Sequence, residues 1–208
     1  SPHPAMLAVL RLLLLCLSCT ATGAWATAPL LTPAQTKALG ESGARLIDIR
    51  EAPAYALQHV PGAVSAPYPL WRAPGANAGL PPSQPALTAL VQELGLTPDT
   101  PAVIIYTGID ATDFGGAARV YWTLKSLGVQ QLSILNGGLT AWKAAGLPVA
   151  SQASGASRGR WQPQFNPQWM ATRDQVRASL DEPGVLRVDA RPAPFYQGRI
   201  HAQHAGLV

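Results

Sequence analysis

One short motif occurs twice in this sequence at a constant spacing, which limits the chain to a duplicated architecture. The matching pairs, each 141 residues apart, are Asp48 and Asp189, Arg50 and Arg191, and Tyr55 and Tyr196. A repeat of this length indicates a duplicated domain rather than the short unit of a solenoid. Because only twelve residues follow Tyr196 in the 208-residue sequence, we expect the second copy to be incomplete.

The composition argues against several classes of protein. Charged residues make up 12% of the chain, whereas about 25% is usual in soluble domains. The net charge is +4, but the basic residues form no run and no aromatic ladder accompanies them, so we expect no nucleic-acid partner. The length is sufficient for one complete domain and part of another. Nothing in the pattern favours one oligomeric state over another.

The N-terminal segment has the pattern of a secretory signal peptide. Arg11 supplies a positive charge, and the apolar stretch from Leu12 to Ser18 is too short to span a bilayer. Ala24-Trp25-Ala26 then has the small-x-small pattern of a cleavage site, so we expect cleavage after Ala26. The alternative is a buried N-terminal helix. The signal peptide predicts a periplasmic or secreted protein with no membrane association after the leader is removed.

The two cysteines, Cys16 and Cys19, both lie in this leader. We therefore expect the mature chain to have no thiol, which excludes disulfides, thiolate metal sites and a cysteine nucleophile. A lipid anchor on Cys19 is the less favoured alternative, because Cys16 stands where an aliphatic residue is expected.

Short apolar runs alternate with segments of helical spacing along the rest of the chain. The predicted strands are 45–49, 64–66, 102–106, 131–135 and 186–189. The predicted helices are 33–39, 52–59, 84–94, 114–127, 139–145 and 171–180. This alternation predicts an α/β fold with a mostly parallel sheet flanked by helices. We expect a first domain at 30–150, a linker at 151–168, polar at its start, and an incomplete second domain at 169–208, with a proteolytically stable core that ends near Val149.

Several motifs in order along the chain carry a resemblance to a known family. They are Leu46-Ile-Asp-Ile-Arg50, His59-Val-Pro-Gly-Ala63, Val103-Ile-Ile-Tyr106, Leu135-Asn-Gly-Gly-Leu-Thr-Ala-Trp142 and Gly146-Leu-Pro-Val149. The set resembles a rhodanese domain over residues 30–149, and the start of a second one over 170–206. The repeat is similar to the tandem sulfurtransferases, which include the thiosulfate and 3-mercaptopyruvate enzymes.

The resemblance implies a mechanism and places its nucleophile. In active members a cysteine follows the strand that matches 102–106, and a ring of backbone amides before a helix lowers its pKa and binds anions. The thiolate takes sulfur from a small anionic donor, holds it as a persulfide and passes it to cyanide or another thiol. In this chain the position is Thr107, and the vestigial anion loop is Thr107, Gly108, Ile109, Asp110, Ala111 and Thr112.

A threonine hydroxyl cannot form a persulfide, so the resemblance predicts that this chain by itself is inactive. In tandem members the first domain commonly lacks the cysteine and the second carries it, so activity would belong to the intact parent. Many tandem members also place an arginine at the position of Phe195, where it helps to hold the anionic substrate. The alternative function is a catalytically inactive rhodanese-fold module that binds a partner or regulates one.

The remaining polar candidates have structural interpretations. We interpret Asp48 and Arg50, and likewise Asp189 and Arg191, as hydrogen-bond networks at strand ends. His59 is interpreted as a structural hydrogen-bonding residue.

Three further pairs lie in the predicted anion loop or beyond it. For Asp110 and Asp113 we favour helix capping over an effect on anion binding, and we place Trp122 and Trp142 in the core. His201 and His204 are three residues apart without an evident third ligand, so we expect no metal site and no cofactor.

Overall fold

The computed structural model describes residues 28–75 and 79–200, which form a parallel five-stranded sheet with helices on both faces. The strands are β1 (Leu30–Leu31), β2 (Arg45–Asp48), β3 (Val64–Ser65), β4 (Ala102–Ile105) and β5 (Leu132–Leu135). The strand order is β1-β5-β4-β2-β3, and every pairing is parallel. The predicted α/β class with a mostly parallel sheet is confirmed.

Helices alternate with these strands along the chain, and two short helices come after the last strand–helix pair. The α-helices are α1 (Pro33–Glu41), α2 (Ala52–Leu57), α3 (Gln84–Glu93), α4 (Ala111–Leu127), α5 (Gly138–Ala144), α6 (Arg173–Ala178) and α7 (Ala193–Tyr196). Two short 3₁₀ helices cover Tyr68–Trp71 and Pro167–Trp169. None of the helices that the structure describes is both long and apolar enough to cross a bilayer.

The central strand β4 is buried on both faces, which explains its continuous apolar sequence. Ile104 packs in one hydrophobic cluster, between the sheet and helices α3 and α4. Val103 and Ile105 pack in a second cluster, which includes Trp142 of α5. Because successive side chains of a strand point to opposite faces, a strand covered on both sides needs apolar residues at every position.

Local signals account for most helix boundaries. Thr32 caps α1 through a capping box with Gln35, and Pro33 occupies the first turn, as the Thr-Pro pair predicts. Gly128 ends α4 in the left-handed conformation with φ 102°.

Several expected helix boundaries were wrong, among them the end of α1, at Glu41 rather than at 39, and both ends of α6, which covers Arg173–Ala178 rather than 171–180. The structure begins α4 at Ala111 rather than at 114, because Asp110 caps the helix. It also ends α2 at Leu57 rather than at 59. The two-residue strand β1 is too short to have a sequence pattern of its own.

Residues 150–170, which we call the strap, lie against helix α3 of the sheet-containing domain. Gln84 of α3 donates to the Pro163 carbonyl at 2.7 Å and accepts from the Phe165 amide at 3.0 Å. Gln92 of the same helix donates to the Trp161 carbonyl at 3.0 Å. Trp161 and Phe165 also pack against the hydrophobic cluster of α3 and α4. The strap therefore covers a face of the sheet-containing domain, although its first residues have the composition of a free linker.

The segment after the strap folds only locally. Helix α6 begins at a capping box of Thr172 and Gln175, the same device that begins α1. The strand predicted at 186–189 is wrong, since these residues have no regular secondary structure. A parallel strand needs hydrogen-bonding neighbours, and no strand of the described residues lies beside this segment. Its apolar side chains, such as Val188 at 76% exposure, are correspondingly uncovered.

Candidate functional site

The candidate site lies at the carboxyl end of β4, where residues 107–110 connect the strand to α4. The loop is attached to the start of α5, because the backbone amide and hydroxyl of Thr140 both donate to the Thr107 carbonyl, at 3.0 and 2.9 Å. Gly108 has φ +88°, and a Cβ there would lie 1.9 Å from the Gly137 carbonyl oxygen. Only glycine fits this close approach of two backbones.

The amides of this loop already bind a carboxylate. Asp113 accepts hydrogen bonds from the backbone N–H groups of Gly108 and Ile109, at 2.7 and 3.0 Å. Asp110 is the N-cap of α4, and its carboxylate accepts from the Asp113 amide at 2.9 Å. The capping interpretation holds for Asp110. Asp113, in the first turn of α4, instead accepts hydrogen bonds from the backbone of the loop.

A cavity of about 470 Å³ opens beside the loop. Its polar lining residues are Arg50, Glu51, Tyr68, Thr107, Asp110, Thr112 and Asp113. Three of these are acidic, and the single cation is engaged by a carboxylate outside the lining. Burial raises the pKa of the neighbouring Tyr106 phenol, and the negative charge of Asp113 acts in the same direction. The three acidic side chains of the lining disfavour a free anion in the cavity.

The wall of this cavity is held by a buried ion pair between Asp48 and Arg50. Arg50 Nε lies 2.9 Å from one Asp48 oxygen and Nη2 lies 2.6 Å from the other, and the Arg50 amide donates to the same carboxylate at 3.0 Å. Arg50 Nη2 also donates to the Gln58 carbonyl at 2.7 Å. The pair joins the end of β2 to the end of α2, so the predicted structural role agrees with the contacts.

Comparison with known proteins decides the family. The model for the rhodanese-like domain matches residues 32–145. The chain belongs to the rhodanese-like family.

Its relatives among curated proteins include sulfurtransferases. A probable 3-mercaptopyruvate sulfurtransferase of Pseudomonas aeruginosa is 33% identical over 193 residues, which cover 84% of this chain and 65% of the relative. A thiosulfate sulfurtransferase of Azotobacter vinelandii is 32% identical over 155 residues, which cover 74% of this chain and 55% of the relative. The chain therefore spans between about half and two thirds of the length of these two proteins.

A solved structure has the same fold. The 3-mercaptopyruvate sulfotransferase SseA of Escherichia coli superposes with a TM-score of 0.70 at 22% identity, over 84% of this chain and 70% of that one. At this identity the likeness concerns the fold.

The rhodanese-like domain holds His59 in its interior. Its Nδ1 lies 2.8 Å from the Tyr55 carbonyl oxygen, and its Nε2 lies 3.1 Å from the carbonyl oxygen of Gln152 in the strap. No side chain able to act as a nucleophile contacts His59 in the hydrogen bonds described for it. The arrangement is that of a structural residue, as the sequence suggests.

The second copy of the motif repeats the local geometry of the first without its burial. Arg191 Nε lies 2.9 Å from Asp189, and the Arg191 amide donates to the same carboxylate at 3.0 Å. These hydrogen bonds lower the pKa of Asp189 to about 2. The pair is on the surface and lies away from the loop residues 107–110 in sequence and in contacts, so the structure does not bring the two sets of predicted residues together.

The other candidates have plain outcomes. Trp142 is buried in the core, while Trp122 is half-buried and donates its indole N–H to the Trp169 carbonyl at 2.9 Å. His201 and His204, and the leader with its two cysteines, lie outside the described residues. Sequence analysis did not predict that the Asp113 carboxylate accepts hydrogen bonds from the loop amides. Its spacing from Gly108 is the only available signal, and many loops share it.

Proposed function

We propose that this chain is the non-catalytic first domain, with part of a second, of a tandem rhodanese-type sulfurtransferase. In the intact parent, sulfur passes from thiosulfate or 3-mercaptopyruvate to a thiophilic acceptor through a cysteine persulfide. With thiosulfate as donor, the thiolate attacks the outer sulfur, the S–S bond of the donor breaks and sulfite leaves. The names of the relatives and the repeated Asp–Arg motif support this proposal.

The observation that carries the proposal is the occupation of the β4–α4 loop. A hydroxyl, that of Thr107, stands where the family resemblance expects a thiol, and its high pKa prevents its use as a nucleophile at neutral pH. The loop amides that would bind an anion instead bind Asp113. Three acidic residues in the cavity add repulsion to any anionic donor. The first domain is thus proposed to support the fold of the parent rather than its chemistry.

The exposed residues of the second copy support the tandem arrangement. Val188 corresponds to Ile47 and Tyr196 to Tyr55 in the 141-residue repeat. Both members of the first copy are buried, at 0% and 5% exposure, whereas Tyr196 is 71% exposed. Exposed apolar residues at positions that are buried in the first copy are typical of a domain whose core is completed by further strands. We also propose export, on the pattern of the leader.

The assay of the chain itself is direct. The purified protein is mixed with thiosulfate and cyanide, and thiocyanate is measured beside a sulfurtransferase that has its cysteine. We expect no turnover above the uncatalysed rate. Turnover by this chain would show that the nucleophile has been misassigned.

The tandem parent is tested separately by reading the coding DNA past the Val208 codon in all three frames. A stretch similar to His-Ile-Pro-Gly followed by a strand ending in cysteine is expected, and the extended protein should then produce thiocyanate. An in-frame stop codon would favour the alternative, a catalytically inactive binding or regulatory module. The occupied loop is compatible with that alternative as well, so the DNA decides between them.

A further inference from the structure

A second cavity, of about 330 Å³, lies between α2 and α5 beside the same loop. It shares Arg50, Ala54 and Thr107 with the first cavity, but it continues toward α5, as far as Lys143, instead of toward α4. We call it the α5 cavity. The two spaces are adjacent, so the charges that line them can be compared directly.

The two cavities differ in charge. Three acidic residues line the first, whereas none of the described residues that line the α5 cavity is acidic. Lys143 lines only the α5 cavity, and it forms no ion pair with another described residue. Its place in the last turn of α5 favours a cation in any helix, so the lysine alone indicates no ligand. Because its charge has no counterion and no acid lines the cavity, this space attracts an anion.

Arg50 supplies a further donor, although its charge is neutralised. Its Nε and Nη2 are occupied by the Asp48 carboxylate and the Gln58 carbonyl. Nη1 takes part in no hydrogen bond with the described residues, and it is not one of their buried side-chain atoms that lack a partner. This nitrogen is therefore accessible, on a buried side chain whose direction the ion pair with Asp48 fixes. Its N–H groups can donate to a carboxylate that enters the cavity.

Two threonines line the α5 cavity, and only one of them has a proton to offer. The Thr140 hydroxyl donates to the Thr107 carbonyl at 2.9 Å, so its proton is already used. The Thr107 hydroxyl makes no hydrogen bond with the described residues, and a hydroxyl has one O–H donor. Thr107 can therefore donate to a ligand of the α5 cavity.

Apolar side chains form the remaining wall of the α5 cavity. Leu57, at the end of α2, is 76% exposed, and Ala54 and Leu139 line the same space. A ligand with an apolar tail would remove these groups from water, which is favourable. Sulfate has no such part and gains nothing from this wall.

We propose that the α5 cavity binds a small monocarboxylate with a short apolar tail. The carboxylate lies beside the Lys143 ammonium, Arg50 Nη1 and the Thr107 hydroxyl, and the tail covers Leu57. The single positive charge without a counterion, that of Lys143, matches the single negative charge of the ligand. The site uses neither a thiol nor the loop amides that Asp113 occupies, so the inference does not depend on the proposed function.

The test is an NMR titration of the full chain labelled with ¹³C and ¹⁵N, with amide signals assigned from triple-resonance spectra of the wild type. The probe is 4-methylpentanoate, and the matched neutral probe is 4-methylpentanamide, which has the same tail. With the carboxylate we expect saturable shifts of the Leu57, Gln58 and Lys143 amides, and the neutral probe should bind roughly tenfold more weakly. Sulfate should leave these signals unchanged. Equal affinity for the two probes, or no shift with the carboxylate, would overturn the proposal.

Two variants locate the site. Lys143→Gln removes the charge, and Thr107→Val replaces the hydroxyl by a methyl group of similar size; each should increase the Kd of 4-methylpentanoate about fivefold. The control is Lys37→Gln, because Lys37 is paired with Glu41 on α1 and does not line the α5 cavity. It should leave the Kd unchanged. An equal loss of affinity in Lys143→Gln and Lys37→Gln would mean that only the overall charge matters, and would overturn the assignment of the site. The comparison of the two probes needs only the wild type, so the proposal is tested even if a variant fails to fold.

Discussion

The Gly108 amide donates a 2.7 Å hydrogen bond to the carboxylate of Asp113, five residues later in the same chain. The Ile109 amide makes a second bond to the same oxygen at 3.0 Å. A loop with the shape of an anion receptor is thus filled by a side chain of its own helix. The backbone N–H groups that would otherwise attract an anionic substrate are already hydrogen-bonded to Asp113.

Removing this side chain should open the loop to an external anion. In Asp113→Ala we expect the Gly108 and Ile109 amide signals to shift on titration with sulfate, whereas those of the wild type stay unchanged. The matched control is Asp110→Ala, which removes the cap of α4 and costs about 1 kcal/mol of stability but leaves Asp113 in the loop. Equal responses of both variants would mean that the helix end, not the vacated loop, binds sulfate.

The negative charge of Asp113 should also disfavour ionisation of a cysteine thiol placed at position 107. In a background with Cys16→Ser and Cys19→Ser, we compare Thr107→Cys with Thr107→Cys/Asp113→Asn. Asparagine keeps an acceptor for the loop amides and removes the negative charge, so the thiolate fraction at neutral pH should increase about tenfold. The alkylation rate with iodoacetamide measures this change. Identical rates in the two variants would contradict the electrostatic argument.

The buried Asp48–Arg50 pair should be far more important for stability than its exposed copy. Arg50→Met leaves the Asp48 carboxylate buried without its partner, and we expect a loss of about 3 to 5 kcal/mol in the free energy of unfolding. Arg191→Met makes the same change on the surface, where water solvates Asp189, and should have little effect. Urea denaturation of both variants provides the comparison. A similar loss in the two would mean that the pair is not what makes the buried site sensitive.

The exposed pair can instead be detected by the titration of the Asp189 carboxyl group. Hydrogen bonds from Arg191 lower the pKa of Asp189 to about 2, below the ordinary value of about 3.9. The pairing is therefore complete above the ordinary value and is lost as the pH falls through about 2, so its contribution decreases in acid. The ¹³C signal of the Asp189 carboxyl group should titrate at that pH in the wild type. In Arg191→Gln it should return to the ordinary range.

Trypsin should cut after the strap before it cuts within it. Arg158 and Arg160 lie in the strap, where Gly159 donates to the Gln92 carbonyl at 2.7 Å. Arg177 and Arg187 lie in the exposed segment beyond it. We expect the first stable fragment to end beyond Met170, rather than near Val149 as the composition alone predicts. In Gln92→Ala, which removes the bond to Trp161, cleavage at Arg158 and Arg160 should become faster; early cleavage there in the wild type would contradict the docking.

The sequence was sufficient for most of the sheet and its helices because most of those elements carry their own local pattern, whereas the two-residue strand β1 does not. The apolar run of β4, the Thr32 cap and Gly128 are examples. What it did not disclose depends on contacts between distant residues. The docking of the strap uses Gln84 and Gln92, 79 and 69 residues from their partners, and polar glutamines in a helix have no pattern that distinguishes this role.

The strand expected at 186–189 failed for the converse reason. Val188 and the residues next to it have the apolar sequence of a strand. A strand forms only by hydrogen bonding to another strand, and the described part of the chain places none beside them. At the candidate site, the position of Thr107 followed from the order of the motifs. The use of Asp113 did not, because an acidic residue in a first helical turn is most simply explained as favourable to the helix dipole.

The Asp–Arg pairs adopt the same geometry in the sheet and on the surface, although only one of them is surrounded by other residues. Only one residue lies between the partners, so closing the ring costs little chain entropy. The pair can consequently assemble on a nascent chain before any strand has found its neighbour. The exposed copy has this geometry without any strand beside it, so the residues of the motif themselves set the local shape of the chain.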